Sequence, residues 1–172
     1  MKSAVVVGNP KPASRTLAAA TYVAGELSGR EADLVVDLAT LGARLLDWQD
    51  PGVAELIAEV GAADLVVVGS PTYKATYTGL TKAFLDHFSA GSLAAVVAIP
   101  VMTGADKTHA LGVDTALVPL LTELGAVVVA RGTYFVTEDM GTLSEFATAA
   151  GRRHASAIRT VARLAASTEV TP

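Results

Sequence analysis

Apolar residues in this chain come in short runs without alternation. Residues 4–8 (AVVVG) read as a first strand, 34–38 as a second, and 64–69 (DLVVVG) as a third. Residues 93–100 (LAAVVAIP) read as a fourth, and 126–130 (AVVVA) start a fifth that 133–136 continue. A strand with one wet face alternates apolar and polar positions, so unbroken β-branched runs mark strands covered on both faces. Between these runs the pattern turns helical. Asp50 and Pro51 supply an N-cap and a first-turn proline, and Val53, Leu56, Ile57 and Val60 then share one helix face. Thr142-Leu143-Ser144-Glu145 reads as a capping box opening the last helix, with Phe146, Ala150, Ala157, Val161 and Leu164 as its buried stripe. Gly125 stands where a helix-ending glycine belongs, and Pro119 inside the helix before it predicts a kink.

Strict alternation of strands and helices predicts one α/β domain over residues 1–172, a doubly wound parallel sheet of five strands with helices on both faces. Right-handed crossovers make 2-1-3-4-5 the simplest strand order. In such a sheet a ligand sits beyond the carboxyl ends of the strands, near the reversal between strands one and three. Loops 8–16, 70–79 and 100–109 are therefore the ones to read for chemistry.

Composition narrows the chemistry. The chain has 172 residues, enough to bury roughly 70% of its unfolded surface. Half of them are apolar and only 5% aromatic, which suits a parallel sheet under Ala-rich helices. There is no cysteine, so disulfides, thiolate nucleophiles and thiolate metal sites are excluded. His87, His109 and His154 are too scattered to form a paired metal motif. A net charge of −4 lacks the basic surplus of a nucleic-acid binder. The longest apolar stretch, 93–102, contains Pro100 and is far shorter than the ~20 residues of a membrane span. The N-terminal apolar run is too short for a secretory signal, so a soluble cytoplasmic protein is expected.

The first loop, Gly8-Asn9-Pro10-Lys11-Pro12-Ala13-Ser14-Arg15-Thr16, leads directly into a helix. A helix N-terminus offers free N–H groups and partial positive charge, and Ser14, Arg15 and Thr16 add donors suited to a phosphate. The alternative is a plain helix cap with a solvated arginine. The loop is neither a P-loop nor a G-x-G-x-x-G dinucleotide loop. The second loop, Ser70-Pro71-Thr72-Tyr73-Lys74-Ala75-Thr76-Tyr77-Thr78-Gly79, carries two tyrosines in a chain poor in aromatics. They either lie against a flat ring system or pack the loop onto the core. In the third loop Gly104 permits close backbone approach, while Asp106 or Thr108 caps the next helix. His109 has no assigned role. Arg152, Arg159 and Arg163 read as a solvated helix face, Trp48 as an anchor for the 39–52 connection, and Asp37 and Asp47 as carboxylates without acid–base work.

Together, G-N-P-K-P-A-S-R-T at 8–16, G-S-P-T-Y-K-A-T-Y-T-G-L-T-K-A-F-L-D at 69–86 and T-H-A-L-G-V-D-T-A-L-V-P-L-L at 108–121 resemble the NAD(P)H-dependent FMN reductase family of flavodoxin-like proteins. The resemblance implies FMN as cofactor and NADPH, or NADH, as hydride donor. It implies that Asn9, Ser14, Arg15 and Thr16 hold the FMN phosphate side, that Pro71, Thr72, Tyr73 and Lys74 line the isoalloxazine ring, and that Thr103 and Gly104 approach from strand four. It further implies a homodimer or homotetramer and a flavin-dependent monooxygenase as recipient of reduced flavin. Backbone N–H groups around Thr72–Lys74 are expected to stabilise the reduced ring. The reductases serving alkanesulfonate monooxygenases carry a tyrosine, associated with a local π-bulge, where this chain has Thr115. That departure weakens the link to flavin exchange and points to a more tightly held FMN. Competing readings are a quinone or azo reductase using the same FMN, a flavodoxin-type electron carrier without nicotinamide activity, and a binding module without flavin.

Overall fold

The computed structural model describes residues 1–167. Its sheet has five parallel strands in the order β2-β1-β3-β4-β5: β1 (Ser3–Val7), β2 (Leu34–Asp37), β3 (Leu65–Pro71), β4 (Val97–Gly104) and β5 (Thr133–Val136). The helices are α1 (Arg15–Ser28), α2 (Pro51–Gly61), α3 (Gly79–Leu85), α4 (Val118–Glu123) and α5 (Leu143–Ser167). Because side chains alternate along a strand, the central strands feed two cores. Val5, Val7, Val67, Ile99 and Val101 face Ala20 and Val23 of α1 and Ala147 and Ala150 of α5. Ala4, Val6, Val66, Val68 and Met102 face Val53 and Val60 of α2, Phe84 of α3 and Leu121 of α4. The expected doubly wound sheet is thus observed. No described helix is long and apolar enough to cross a membrane.

The helix-end signals at Asp50-Pro51 and Gly125 hold. Asp50 accepts from the N–H groups of Gly52 and Val53 at 2.9 and 3.0 Å, with Pro51 in the first turn. Leu56 and Ile57 pack with Val53 and Val60 as expected. Gly125, at φ +86°, ends α4 in a Schellman arrangement: its N–H reaches Thr122 O and that of Ala126 reaches Leu121 O.

Strand positions on the β5 side differ from the sequence reading. Residues 93–96 form no strand: they pass through a turn that buries Leu93 and Val96, and β4 starts four residues late and runs through Pro100. The ladder explains how a central strand tolerates proline. Ala98 N–H points toward Val127 O, so alternation aims the missing donor of Pro100 at the β5 side. There the neighbour is absent: residues 126–130 make only a bridge at Val127, and pairing resumes at Val101 with Thr133. Thus 126–130 is not a strand. The intervening chain bulges out, held by Arg131 and the Gly132 N–H on Asp114.

Two other expectations change. The Thr142 hydroxyl donates back to Asp139 O at 2.9 Å and closes a 3₁₀ turn, so the capping box is not formed. The stripe on α5 is buried only through His154. Val161 and Leu164 are exposed because the helix outruns the body it packs on. His154 itself is fully buried, with Nε2 on Thr133 Oγ1 at 2.9 Å and Nδ1 without a partner. Burial pushes its pKa down to about 4. The kink expected at Pro119 takes the form of a π turn over Val113–Leu117, where Val118 N–H reaches back to Val113 O. Proline cannot donate to Thr115 O, and the widened turn absorbs that loss. The π turn forms with threonine at 115, so the sequence departure there does not remove it.

Candidate functional site

The carboxyl end of β1 meets α3 without a spacer. A Cβ on Gly8 would lie 2.0 Å from Thr81 Oγ1 and 2.7 Å from Thr81 N, so only glycine lets the strand end there. Beyond it, Asn9 Oδ1 accepts from Lys11 N–H at 2.9 Å, and Asn9 Nδ2 donates to Thr16 Oγ1 at 3.1 Å. Ala13 sits at φ +50°, a conformation costing a non-glycine residue about 1 kcal/mol or more. Asp37, at the end of β2, offsets that cost by accepting the Ala13 N–H at 2.9 Å. Ser14 then caps α1, its Oγ accepting from Leu17 N–H at 3.1 Å. The first intrahelical bond is Ala18 N–H to Ser14 O. The N–H groups of Arg15 and Thr16 therefore have no intrahelical partner, at the positive end of a 14-residue helix.

The second loop is stapled by buried hydroxyls. Ser70 Oγ accepts from Thr78 N–H at 3.0 Å, Thr78 Oγ1 donates to Gly8 O, and Thr78 caps α3 through Thr81 N–H at 3.1 Å. At its tip Tyr73 and Thr76 exchange N–H···O bonds of 2.9 and 3.2 Å around Lys74 (φ +52°) and Ala75 (φ +67°). Two consecutive left-handed residues make a type I′ turn, normally built from Asn-Gly. The two tyrosines divide the roles that the sequence left open: Tyr77 packs on the core, while Tyr73 stands 53% exposed. The N–H groups of Thr72 and Tyr73 are already bonded, to Thr103 O and Thr76 O. Of the expected backbone donors at 72–74, those two are not free to stabilise a reduced ring.

From β4, Thr103 Oγ1 meets Thr16 Oγ1 at 2.7 Å, wholly buried. Thr137, just past β5, donates through Oγ1 to Gly104 O at 3.3 Å and accepts from Arg15 Nη1 at 3.0 Å on its carbonyl. Asp106 accepts from Thr108 N–H in a local turn rather than capping a helix. The Thr108 bonds hold its carboxyl below the ordinary range. His109 is exposed in the following turn.

These three loops enclose a cleft of about 560 Å³. Asn9, Ser14, Arg15, Thr16, Pro71, Thr72, Tyr73, Thr103 and Gly104 all line it, while Lys74 lies exposed on the turn outside it. Lys11, Ala13, Ala105 and Thr137 complete the wall, so its charged side chains are Lys11 and Arg15 and it holds no carboxylate. Thr137 and the loop-holding Asp37 were not singled out as site residues by sequence. Both stand at the carboxyl end of a strand, a signal obscured for Thr137 by placing strand five too early. Among the described residues no cluster of His, Asp and Glu could hold a metal ion.

The donor set fits a phosphate dianion: two unpaired helix N–H groups, the Ser14 hydroxyl and one arginine, with no opposing carboxylate. Segments 71–73 and 103–105, bonded to each other through Thr72 N–H and Thr103 O, line the rest of the cleft. The family model for NADPH-dependent FMN reductase matches residues 1–141. The FMN reductase (NADPH) of Escherichia coli is 28% identical over 138 residues, covering 78% of this chain and 72% of its own length. The NADH-dependent FMN reductase SfnF of Pseudomonas fluorescens is 34% identical over 148 residues, covering 81% and 78%. A solved NADH:FMN oxidoreductase (EmoB) superposes with a TM-score of 0.76 at 27% identity, over 90% of this chain and 95% of that one.

Proposed function

The chain belongs to the NADPH-dependent FMN reductase family, and on that premise we propose that the cleft takes FMN with its phosphate on the first turn of α1 and its ring against 71–73 and 103–105. The activity is reduction of FMN by a nicotinamide nucleotide. The observation that carries the site assignment is the pair of unpaired N–H groups of Arg15 and Thr16 beside the Arg15 guanidinium, in a wall without acid.

Each group has a definable task. Ser14 Oγ already accepts from Leu17 N–H, so its own proton is free to donate to a phosphate oxygen. Thr16 and Thr103 share one of their two hydroxyl protons across a 2.7 Å contact, which leaves the other for the ligand. Arg15 spends one of its five N–H donors on Thr137 O and keeps the rest. Bound FMN supplies the hydride-accepting chemistry. The protein holds two rings in reacting geometry, and a cleft without Asp, Glu or His suits a transfer that requires no general base.

The same reading takes residues 1–172 as one FMN-binding domain of a cytoplasmic homodimer or homotetramer, passing reduced flavin to a flavin-dependent monooxygenase. Exposed Leu46, Trp48 and Leu111 are apolar surface that assembly would cover. The Trp48 ring lies 4.5 Å from that of His87, tilted by 30°.

Anaerobic mixing of the protein and FMN with NADPH, then with NADH, tests the function by loss of oxidised-flavin absorbance. Bleaching far above the protein-free rate is expected. Bound FMN that stays oxidised with both nucleotides would instead favour an electron carrier. Sedimentation at several concentrations reads the assembly state.

A further inference from the structure

Tyr134 lies outside the cleft wall, and no part of the flavin chemistry described so far uses it. It occupies β5 opposite Met102, two residues before the strand position opposite Gly104. Burial alternates along β5, so Thr133 and Phe135 turn inward to the α1/α5 side while Tyr134 packs its ring on the other core. From there its hydroxyl reaches forward to the strand ends. Thr72 Oγ1 donates to Tyr134 Oη at 3.4 Å. A Cβ built on Gly104 would lie 1.9 Å from Oη and 3.0 Å from Cζ. The φ of Gly104 is not positive. Residue 104 is glycine because the tyrosine hydroxyl fills the place of a side chain, and no backbone demand is involved.

The two residues that Tyr134 touches stand side by side at the ends of paired strands. Thr72 belongs to the loop after β3 and Gly104 to the end of β4. Thr72 is held from a second side by its N–H on Thr103 O at 2.7 Å. Gly104 is held from a second side by Thr137 on its carbonyl.

We propose that Tyr134 is a positioning residue of the flavin site: its hydroxyl, seated against the Thr72 side chain and the Gly104 backbone, fixes the shape of the wall that these two neighbouring strand ends present to the ring. The proposal rests on the cleft being the FMN site. It implies that Tyr134 and Gly104 act as a pair, since the atom that orders the wall is the atom that forbids a side chain at 104.

The test is a double-mutant cycle of Tyr134→Phe and Gly104→Ala. It is read by FMN fluorescence titration, by the visible spectrum of bound flavin and by thermal melting. Tyr134→Phe keeps the ring and its packing, so its melting point should stay within about 4 °C of the parent. Losing the Thr72 bond should raise the FMN Kd about two- to ten-fold, change the bound-flavin spectrum, and raise KM for FMN more than it lowers kcat. Gly104→Ala alone should raise Kd further. The double variant should bind FMN better than Gly104→Ala alone, because removing Oη vacates the space the new methyl needs. Parental affinity and spectrum in Tyr134→Phe would overturn the proposal, as would strictly additive effects in the cycle. A parent protein that binds no FMN would overturn the cleft assignment itself, and this proposal with it.

Discussion

Replacing Arg15 by alanine separates what this side chain does for a ligand from what it does for the fold. The guanidinium is exposed and donates from Nη1 to Thr137 O at 3.0 Å. An exposed bond to a neutral carbonyl contributes at most about 1 kcal/mol, so the urea midpoint should move little. Ser14 caps α1 without help from Arg15, which again predicts an intact helix. Against a bound phosphate the sum differs. A charge-assisted bond is worth about 1.5–3 kcal/mol, which corresponds to roughly 10- to 150-fold in Kd. The Thr137 contact strengthens the expectation, because it holds the guanidinium at the cleft before the ligand arrives. Titration with FMN and, in parallel, with riboflavin isolates the phosphate contribution. Arg15→Ala should lose most of the parent's preference for FMN and leave riboflavin binding nearly unchanged. An unaltered FMN Kd, or equal losses for both flavins, would refute the phosphate assignment on α1.

Thr16→Val keeps the shape of the side chain but leaves the buried Thr103 hydroxyl and the Asn9 amide without their shared partner. It should cost about 1–3 kcal/mol in urea denaturation, and a cost below 0.5 kcal/mol would show that the pair carries little. Gly69→Ala would place a methyl 2.9 Å from Val7 Cγ2 and 3.1 Å from Ala20 Cβ, and overpacking α1 against the sheet should cost about 1–3 kcal/mol. His154 is held neutral down to about pH 4, whereas an unfolded histidine takes its proton near 6.5. The unfolded chain then binds the proton first, so stability is full above about pH 6.5 and falls toward pH 4. His154→Gln should flatten that part of a melting-point profile. Asp33 has the same sign at lower pH: Arg30 holds its carboxyl well below the usual range, so its contribution is present above the ordinary carboxylate pKa and is lost in stronger acid. Asp33→Asn should therefore flatten the profile below about pH 4.

The sequence by itself determined what depends on neighbours a few residues away. Unalternating Val runs required a sheet covered on both faces, and their alternation with helices led to the observed strand order. Asp50-Pro51 and Gly125 marked helix ends because a cap is settled within one turn. The loops after the first, third and fourth strands were legible as the site because a doubly wound sheet places its ligand at those strand ends.

Tertiary structure decided what depends on pairing. Residues 126–130 have better strand composition than 133–136, yet β5 is 133–136. Pro100 offers no donor on that side, so the ladder breaks and resumes only at Val101. That shift puts Thr137 at the cleft and Tyr134 behind it. The type I′ turn at Lys74-Ala75 and the left-handed Ala13 contradict local preference and stand because the stapled loop and Asp37 hold them. The helical period ran on through Val161 and Leu164, but whether a face is buried depends on how far the sheet extends beneath it, and here it ends near His154. Propensity is a property of short segments, while register, burial and the meeting of four strand ends belong to the assembled sheet.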